Sequence, residues 1–240
     1  DAIRKFEEQG FLSPVPALSE EEVAYFRGCL EAFESKHPAD VKKLKTKAHL
    51  LCPWVDEIAR HPRILDIYED LIGPDILCYS MAFRIKNADG KTFAGWHQDT
   101  AYSPIKPIMV TGALALSECS VRHGCLSVIP GSHKKGVVEA KHDLTTTSYP
   151  LWTVDNELIG KLVERGGGKD GGIVSPKGPA GSMILFHSCL VHASTSNLSP
   201  WNRVSVYLSL CAVSNHIRRF KRPEYIAHRD FTPIACLPDD

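Results

Sequence analysis

Ile76-Leu77-Cys78-Tyr79-Ser80-Met81-Ala82-Phe83-Arg84-Ile85 is the stretch at which the chain changes character. It is a β-prone run, and four more follow it: Ile108 to Leu116, Cys125 to Ile129, Ser182 to Phe186 and Val204 to Val213. The turn signals Asp89-Gly90, His123-Gly124, Pro130-Gly131, Gly178-Pro179 and Ser199-Pro200 punctuate the region. Many short strands broken by Gly/Pro turns point to a sandwich or barrel and away from a parallel sheet.

Upstream of Ile76 the pattern is helical. Ser19 followed by Glu22 reads as a capping box, and Val23, Phe26, Leu30 and Phe33 then recur at helical spacing. A second helix is expected from Pro62, with Ile64, Ile67, Tyr68 and Leu71 on one face and Gly73-Pro74 as its stop. Residues 142–175 do not read as strand; with the glycine cluster 166–172 they are expected to form a lid or loop insertion. The reading is one domain over 1–240: a helical layer over about 1–75 and a β core over about 76–240.

Composition narrows the function. Lys plus Arg and Asp plus Glu both number 28, so no net field attracts polyanions, and neither nucleic acid nor a membrane surface is expected as partner. No apolar run approaches the roughly 20 residues that span a bilayer. The eight cysteines form no CxxC pair and read as reduced thiols, and DAIRKFEEQG does not read as a signal peptide. A cytoplasmic protein is expected, with a small-molecule partner and an open oligomeric state.

The chemistry centres on Gly95-Trp96-His97-Gln98-Asp99. On a strand, His97 and Asp99 would share one face and Gln98 the other. One imidazole and one carboxylate supply two members of a 2-His-1-carboxylate triad. The third candidates lie in Phe186–Ser194, where His192 is followed eleven residues later by Arg203 across an Asn197-Leu198-Ser199-Pro200 turn. A returning hairpin would bring Arg203 beside His192 as a two-pronged carboxylate clamp, with Ser194 and Ser205 two residues further along their strands. His187, His133, His142 and Trp96 read more simply as structural or solvated residues.

These motifs, with Gly124-Cys125-Leu126, Val128-Ile129-Pro130-Gly131-Ser132-His133 and the C-terminal Arg222–Pro233, resemble the phytanoyl-CoA dioxygenase superfamily. The likeness is greatest to its ectoine hydroxylase and bacterial proline 4-hydroxylase branch. The resemblance implies a mainly β fold with flanking helices: a double-stranded β-helix, or cupin-like jelly roll, carrying an N-terminal helical layer. It implies Fe(II), 2-oxoglutarate and O2, with His97, Asp99 and His192 as metal ligands. Arg203 would hold the far carboxylate of 2-oxoglutarate, with Thr111, Ser194 and Ser205 near that co-substrate. Arg84, Tyr102, Ser103 and Arg229 would line the substrate side. The carboxylate at Asp99 favours hydroxylation over halogenation, since halogenating relatives have a small residue there. Departures accompany the likeness: Ser103 replaces a tryptophan, Ala82 a glutamine, and the loop Tyr102–Ile108 is short. The implied reaction is hydroxylation of a small polar metabolite with release of succinate and CO2. Desaturation, cyclisation or bond cleavage by the same cofactors, a hydrolytic zinc site, and a non-catalytic cupin-like binding protein stand as alternatives.

Overall fold

The β-prone runs of the sequence become strands whose side chains alternate between two faces, and this builds the fold. The protein is described from a computed structural model covering residues 2–102, 105–106, 108–148, 151–165 and 172–217. In chain order the elements are α1 (Ala2–Gln9), β1 (Phe11–Pro16), α2 (Glu20–Lys36), α3 (Pro53–Ala59), α4 (Pro62–Ile72), β2 (Ile76–Lys86), β3 (Ala94–His97) and β4 (Ile105–Lys106). There follow β5 (Met109–Ala115), β6 (Leu126–Val128), β7 (Ala140–Asp143), β8 (Leu151–Val154), α5 (Asn156–Arg165), β9 (Ser182–His187), β10 (His192–Ser194), β11 (Arg203–Ala212) and β12 (His216–Ile217).

Five strands form an antiparallel sheet in the order β1-β9-β5-β11-β2, and three form a smaller one in the order β3-β10-β6. The two face each other: Ala113, Phe186 and Tyr207 of the large sheet pack with Leu126 and Val128 of the small one. This is the expected double-stranded β-helix. The other face of the large sheet, carrying Val110, Leu114, Met183, Leu185, Val206 and Leu208, packs against Phe26, Leu30, Ile58, Ile64 and Tyr68 of the helices. Period-2 side chains of the strands thus serve two cores at once.

The helical layer forms for the reasons its sequence carries. Ser19 caps α2: Glu22 N–H donates to Ser19 Oγ at 3.2 Å and Ser19 N–H to Glu22 Oε2 at 2.6 Å. Pro62 opens α4, and Gly73 closes it with φ of 85°. Tyr68 is fully buried and donates its hydroxyl proton to the Leu208 carbonyl at 2.7 Å. Gly112 makes room for it, since a Cβ there would overlap the Tyr68 hydroxyl.

Three expectations need correction. The first 75 residues are not wholly helical: Phe11–Pro16 is β1, an edge strand paired with β9. Its two prolines hide it from a periodicity reading, although an edge strand tolerates them. Within 142–175, β8 pairs with β7 as a two-stranded ribbon and α5 follows it. This part is a layer rather than a loop: Val154, Ile159 and Leu162 pack with Ile129 and Val191 on the outward side of the small sheet. Trp96 joins the same cluster, in agreement with a core role. Thirdly, the strand carrying His97 ends at that residue, and Asp99 opens a 3-10 turn, Asp99–Ala101. Among the described residues, no helix is long and apolar enough to cross a membrane.

Candidate metal centre and co-substrate clamp

His97 ends β3, His192 begins β10, and the two are direct partners in the small sheet. That pairing sets the imidazoles side by side, ring centroids 4.1 Å apart. The turn after β3 brings in Asp99, whose Oδ1 lies 3.7 Å from His192 Nε2. One ligand atom from each of His97, Asp99 and His192 lies within 4.8 Å of the others, close enough to share one ion.

The backbone prepares both rings for metal. His97 Nδ1 donates to the Gly95 carbonyl at 2.8 Å and His192 Nδ1 to the Leu190 carbonyl at 3.0 Å. A carbonyl can only accept, so each Nδ1 carries the proton and each Nε2 keeps its lone pair. Burial, reinforced by the second imidazole alongside, holds His97 well below the ordinary imidazole range. The ring is therefore neutral at pH 7, the form that ligates. Gln98 points away, as the alternation required. Its amide donates to the carbonyls of Gly136 at 2.9 Å and Cys189 at 2.6 Å and accepts from Val138 N–H at 3.0 Å.

The candidate clamp, Arg203 with Lys86, lies on the large sheet. Arg203 and Lys86 are register partners on β11 and β2, exposed by only 2% and 5%. Arg203 donates to the Gly124 carbonyl at 2.5 Å, while its buried Nε has no partner among the described residues. Lys86 Nζ donates to Ser194 Oγ at 2.9 Å and to the Thr195 carbonyl. Burial, with the Arg203 cation next, pushes the Lys86 ammonium down to about 7. Two buried cations thus lie side by side in the sheet, and no carboxylate among the described residues pairs with either. That is a costly arrangement unless an anion completes it. Arg203 and Ser205 line a cavity with Cys119, Leu126, Ala115 and Tyr207. Burial raises both thiols at this end, Cys125 to about 11.

The structure brings His97, Asp99 and His192 together and sets Arg203, Ser194 and Ser205 at the clamp end. Thr111 lies elsewhere, donating to Asp99 Oδ2 at 2.8 Å. Tyr102 stands at the metal end, its ring 6.5 Å from that of His97, and its hydroxyl accepts from Trp152 N–H at 2.5 Å. Arg84 is exposed; it donates to the Lys45 carbonyl at 3.1 Å, with its guanidinium 5.9 Å from the Tyr207 ring centroid. Ser103 and Arg229 lie outside the described residues. His187 accepts from Cys189 N–H at 2.9 Å and His133 donates to the Glu7 carbonyl at 3.0 Å, both structural tasks. Sequence reasoning missed Lys86. The available signal was its place two residues beyond Arg84 on the same strand face.

The sequence profile of the phytanoyl-CoA dioxygenase family matches residues 6–205. The L-proline trans-4-hydroxylase of Streptomyces griseoviridis is 26% identical over 263 residues, covering 100% of this chain and 96% of the relative. The ectoine dioxygenase of Bordetella parapertussis is 25% identical over 258 residues, covering 95% and 82%. Among solved structures, EctD from S. alaskensis with 2-oxoglutarate and 5-hydroxyectoine superposes with a TM-score of 0.70 at 25% identity, covering 90% of this chain and 77% of that one. The apo non-heme monooxygenase ThoJ gives 0.73 at 25% identity, covering 90% and 79%.

Proposed function

Because this chain belongs to the phytanoyl-CoA dioxygenase family, whose Fe(II) and 2-oxoglutarate chemistry its relatives share, we propose that it hydroxylates an unactivated C–H bond of a small polar metabolite. An amino acid or a related biosynthetic intermediate fits best. One observation carries the reading: a His-Asp-His cluster and a pair of buried cations that no carboxylate among the described residues pairs with occur on the facing sheets of one barrel.

The donor set fits ferrous iron. Two neutral imidazoles and a carboxylate are the ligands of non-heme iron oxygenases, and three protein ligands leave positions open. When bound, iron, 2-oxoglutarate and dioxygen supply the oxidising power: the keto acid becomes succinate and CO2, and one oxygen atom enters the substrate. The chain's own residues supply position and electrostatics. Arg203, with its unpartnered Nε, holds the far carboxylate through a two-pronged contact. Lys86 adds a second positive charge beside it, with Ser194 and Ser205 as neutral partners. His97 and His192 stay neutral because their Nδ1 protons are engaged by backbone carbonyls. Phe186 packs on His192, ring centroids 4.8 Å apart, and keeps water from that side. Tyr102 borders the substrate side. Arg84, Ser103 and Arg229 complete it in this reading.

The equal numbers of acidic and basic residues support a small molecule over a nucleic acid or a membrane as partner; in this reading the chain is one catalytic domain working in the cytoplasm. Anaerobic titration of the metal-free protein with Fe(II) and 2-oxoglutarate should give a visible charge-transfer absorption. A succinate-release screen over amino acids and related zwitterions, with product masses, should then show a gain of one oxygen. An intact protein that gives no charge-transfer absorption and no succinate would sink the proposal. A loss of two hydrogens would redirect it to desaturation by the same cofactors.

A further inference from the structure

Thr111 lies on β5, directly across from Ser209 on β11, and both face the barrel interior. Its Oγ1 donates to Asp99 Oδ2 at 2.8 Å. An ionised carboxylate only accepts, so the Thr111 proton is committed to that bond. Ser209 Oγ lies 3.4 Å from Thr111 Oγ1, and Ser209 must then be the donor of this weaker contact. The chain of hydroxyls runs Ser209 to Thr111 to Asp99 and ends on one carboxylate oxygen. The other oxygen, Oδ1, is the one turned toward His192 Nε2 at 3.7 Å.

Distance separates this hydroxyl from the clamp. Its partner Ser209 is six residues along β11 from Arg203, or roughly 20 Å at about 3.3 Å per residue. An arginine side chain and a five-carbon diacid fill that span only when laid end to end. Thr111 therefore sits at the metal end, while the far carboxylate of 2-oxoglutarate belongs at the Arg203 end.

We propose that Thr111 is a positioning residue for the metal. It holds Asp99 by Oδ2 so that Oδ1 alone is presented to the ion, with Ser209 steadying Thr111 from behind. This departs from the co-substrate role that the family resemblance suggested for Thr111, and it rests on the triad reading. A carboxylate freed from this bond rotates or binds through both oxygens, and loss of such an outer contact typically weakens metal binding about 10–100-fold.

The test is titration of the metal-free full chain with Co(II), followed by visible absorption without 2-oxoglutarate, for wild type, T111V, T111S and S209A. Wild type and T111S are expected to bind alike. T111V should bind roughly 10–100-fold more weakly, with an altered Co(II) spectrum. S209A should fall between them, and it preserves the test if T111V does not fold. At saturating Fe(II), T111V should keep the wild-type KM for 2-oxoglutarate. Co(II) binding unchanged in T111V, or unchanged in S209A should T111V not fold, overturns the proposal. So does a raised 2-oxoglutarate KM in T111V at saturating iron. A wild-type protein that takes up no Co(II) overturns the triad reading itself, a separate result.

Discussion

The two faces of β11 show how one strand divides stability from chemistry. Val204, Val206, Leu208 and Leu210 point into the core shared with the helices, while Arg203, Ser205, Tyr207 and Ser209 line the space between the sheets. The first group is apolar and replaceable by shape. The second is polar, buried at Arg203 and Ser205 and half-buried at Tyr207 and Ser209, and dependent on what binds. A single-residue slip of register would exchange them, so the pairing with β2 and β5 is constrained from both sides.

Substitution can pull the two faces apart. Arg203→Ala should produce the largest functional effect, weakening 2-oxoglutarate by roughly 2–5 kcal/mol because a buried carboxylate loses its charged partner. Unfolding of the ligand-free protein should change far less, and calorimetric titration beside a denaturant melt reads both quantities. Wild-type co-substrate affinity in Arg203→Ala would erase the division. Leu208→Ala is the mirror experiment. It should lower unfolding stability by about 2–5 kcal/mol while leaving the co-substrate KM of the folded fraction intact.

The smallest and most diagnostic effect concerns Lys86. Its ammonium is lowered from 10.5 to about 7 by burial and by Arg203; Ser194 Oγ, the Thr195 carbonyl and the Cys119 and Cys125 thiols also face it. The unfolded chain holds this proton up to its ordinary pKa, so the folded ligand-free protein is penalised fully below about pH 7. It regains stability as pH rises from about 7 toward 10.5. A bound dianion reverses the preference by favouring the ammonium. Co-substrate affinity should thus be greatest below pH 7 and decline above it. Lys86→Met should flatten both profiles, and equal slopes in the variant would remove Lys86 from the clamp.

Much of this was legible in the sequence because it lies in short-range spacing. The capping box at Ser19, the proline and glycine that bound α4, and the β-prone runs between Gly/Pro turns follow from local rules. His97, Asp99 and His192 were legible through an HxD tripeptide and a downstream histidine, whereas the hairpin expected between His192 and Arg203 does not form: β10 pairs with β3 and β6, and β11 with β2 and β5 in the facing sheet. What escaped depends on distant neighbours. Lys86 reads as an ordinary strand lysine until β11 and Ser194 close over it. β1 is concealed by two prolines and exists through its pairing with β9. The β7–β8 ribbon is polar in sequence, and its place is set by the few apolar residues of the layer, Val154, Ile159 and Leu162. Thr111 was picked out for its hydroxyl, but its partner could be seen only once the turn at Asp99 was placed.

Gln98, the spacer between two candidate ligands, spends its whole amide on three loop backbone groups: Gly136, Val138 and Cys189. The arc of chain bearing His97 and Asp99 is therefore bolted to the scaffold from behind. An arriving ion has little left to organise, and exchanging one divalent cation for another should leave this arc where it stands.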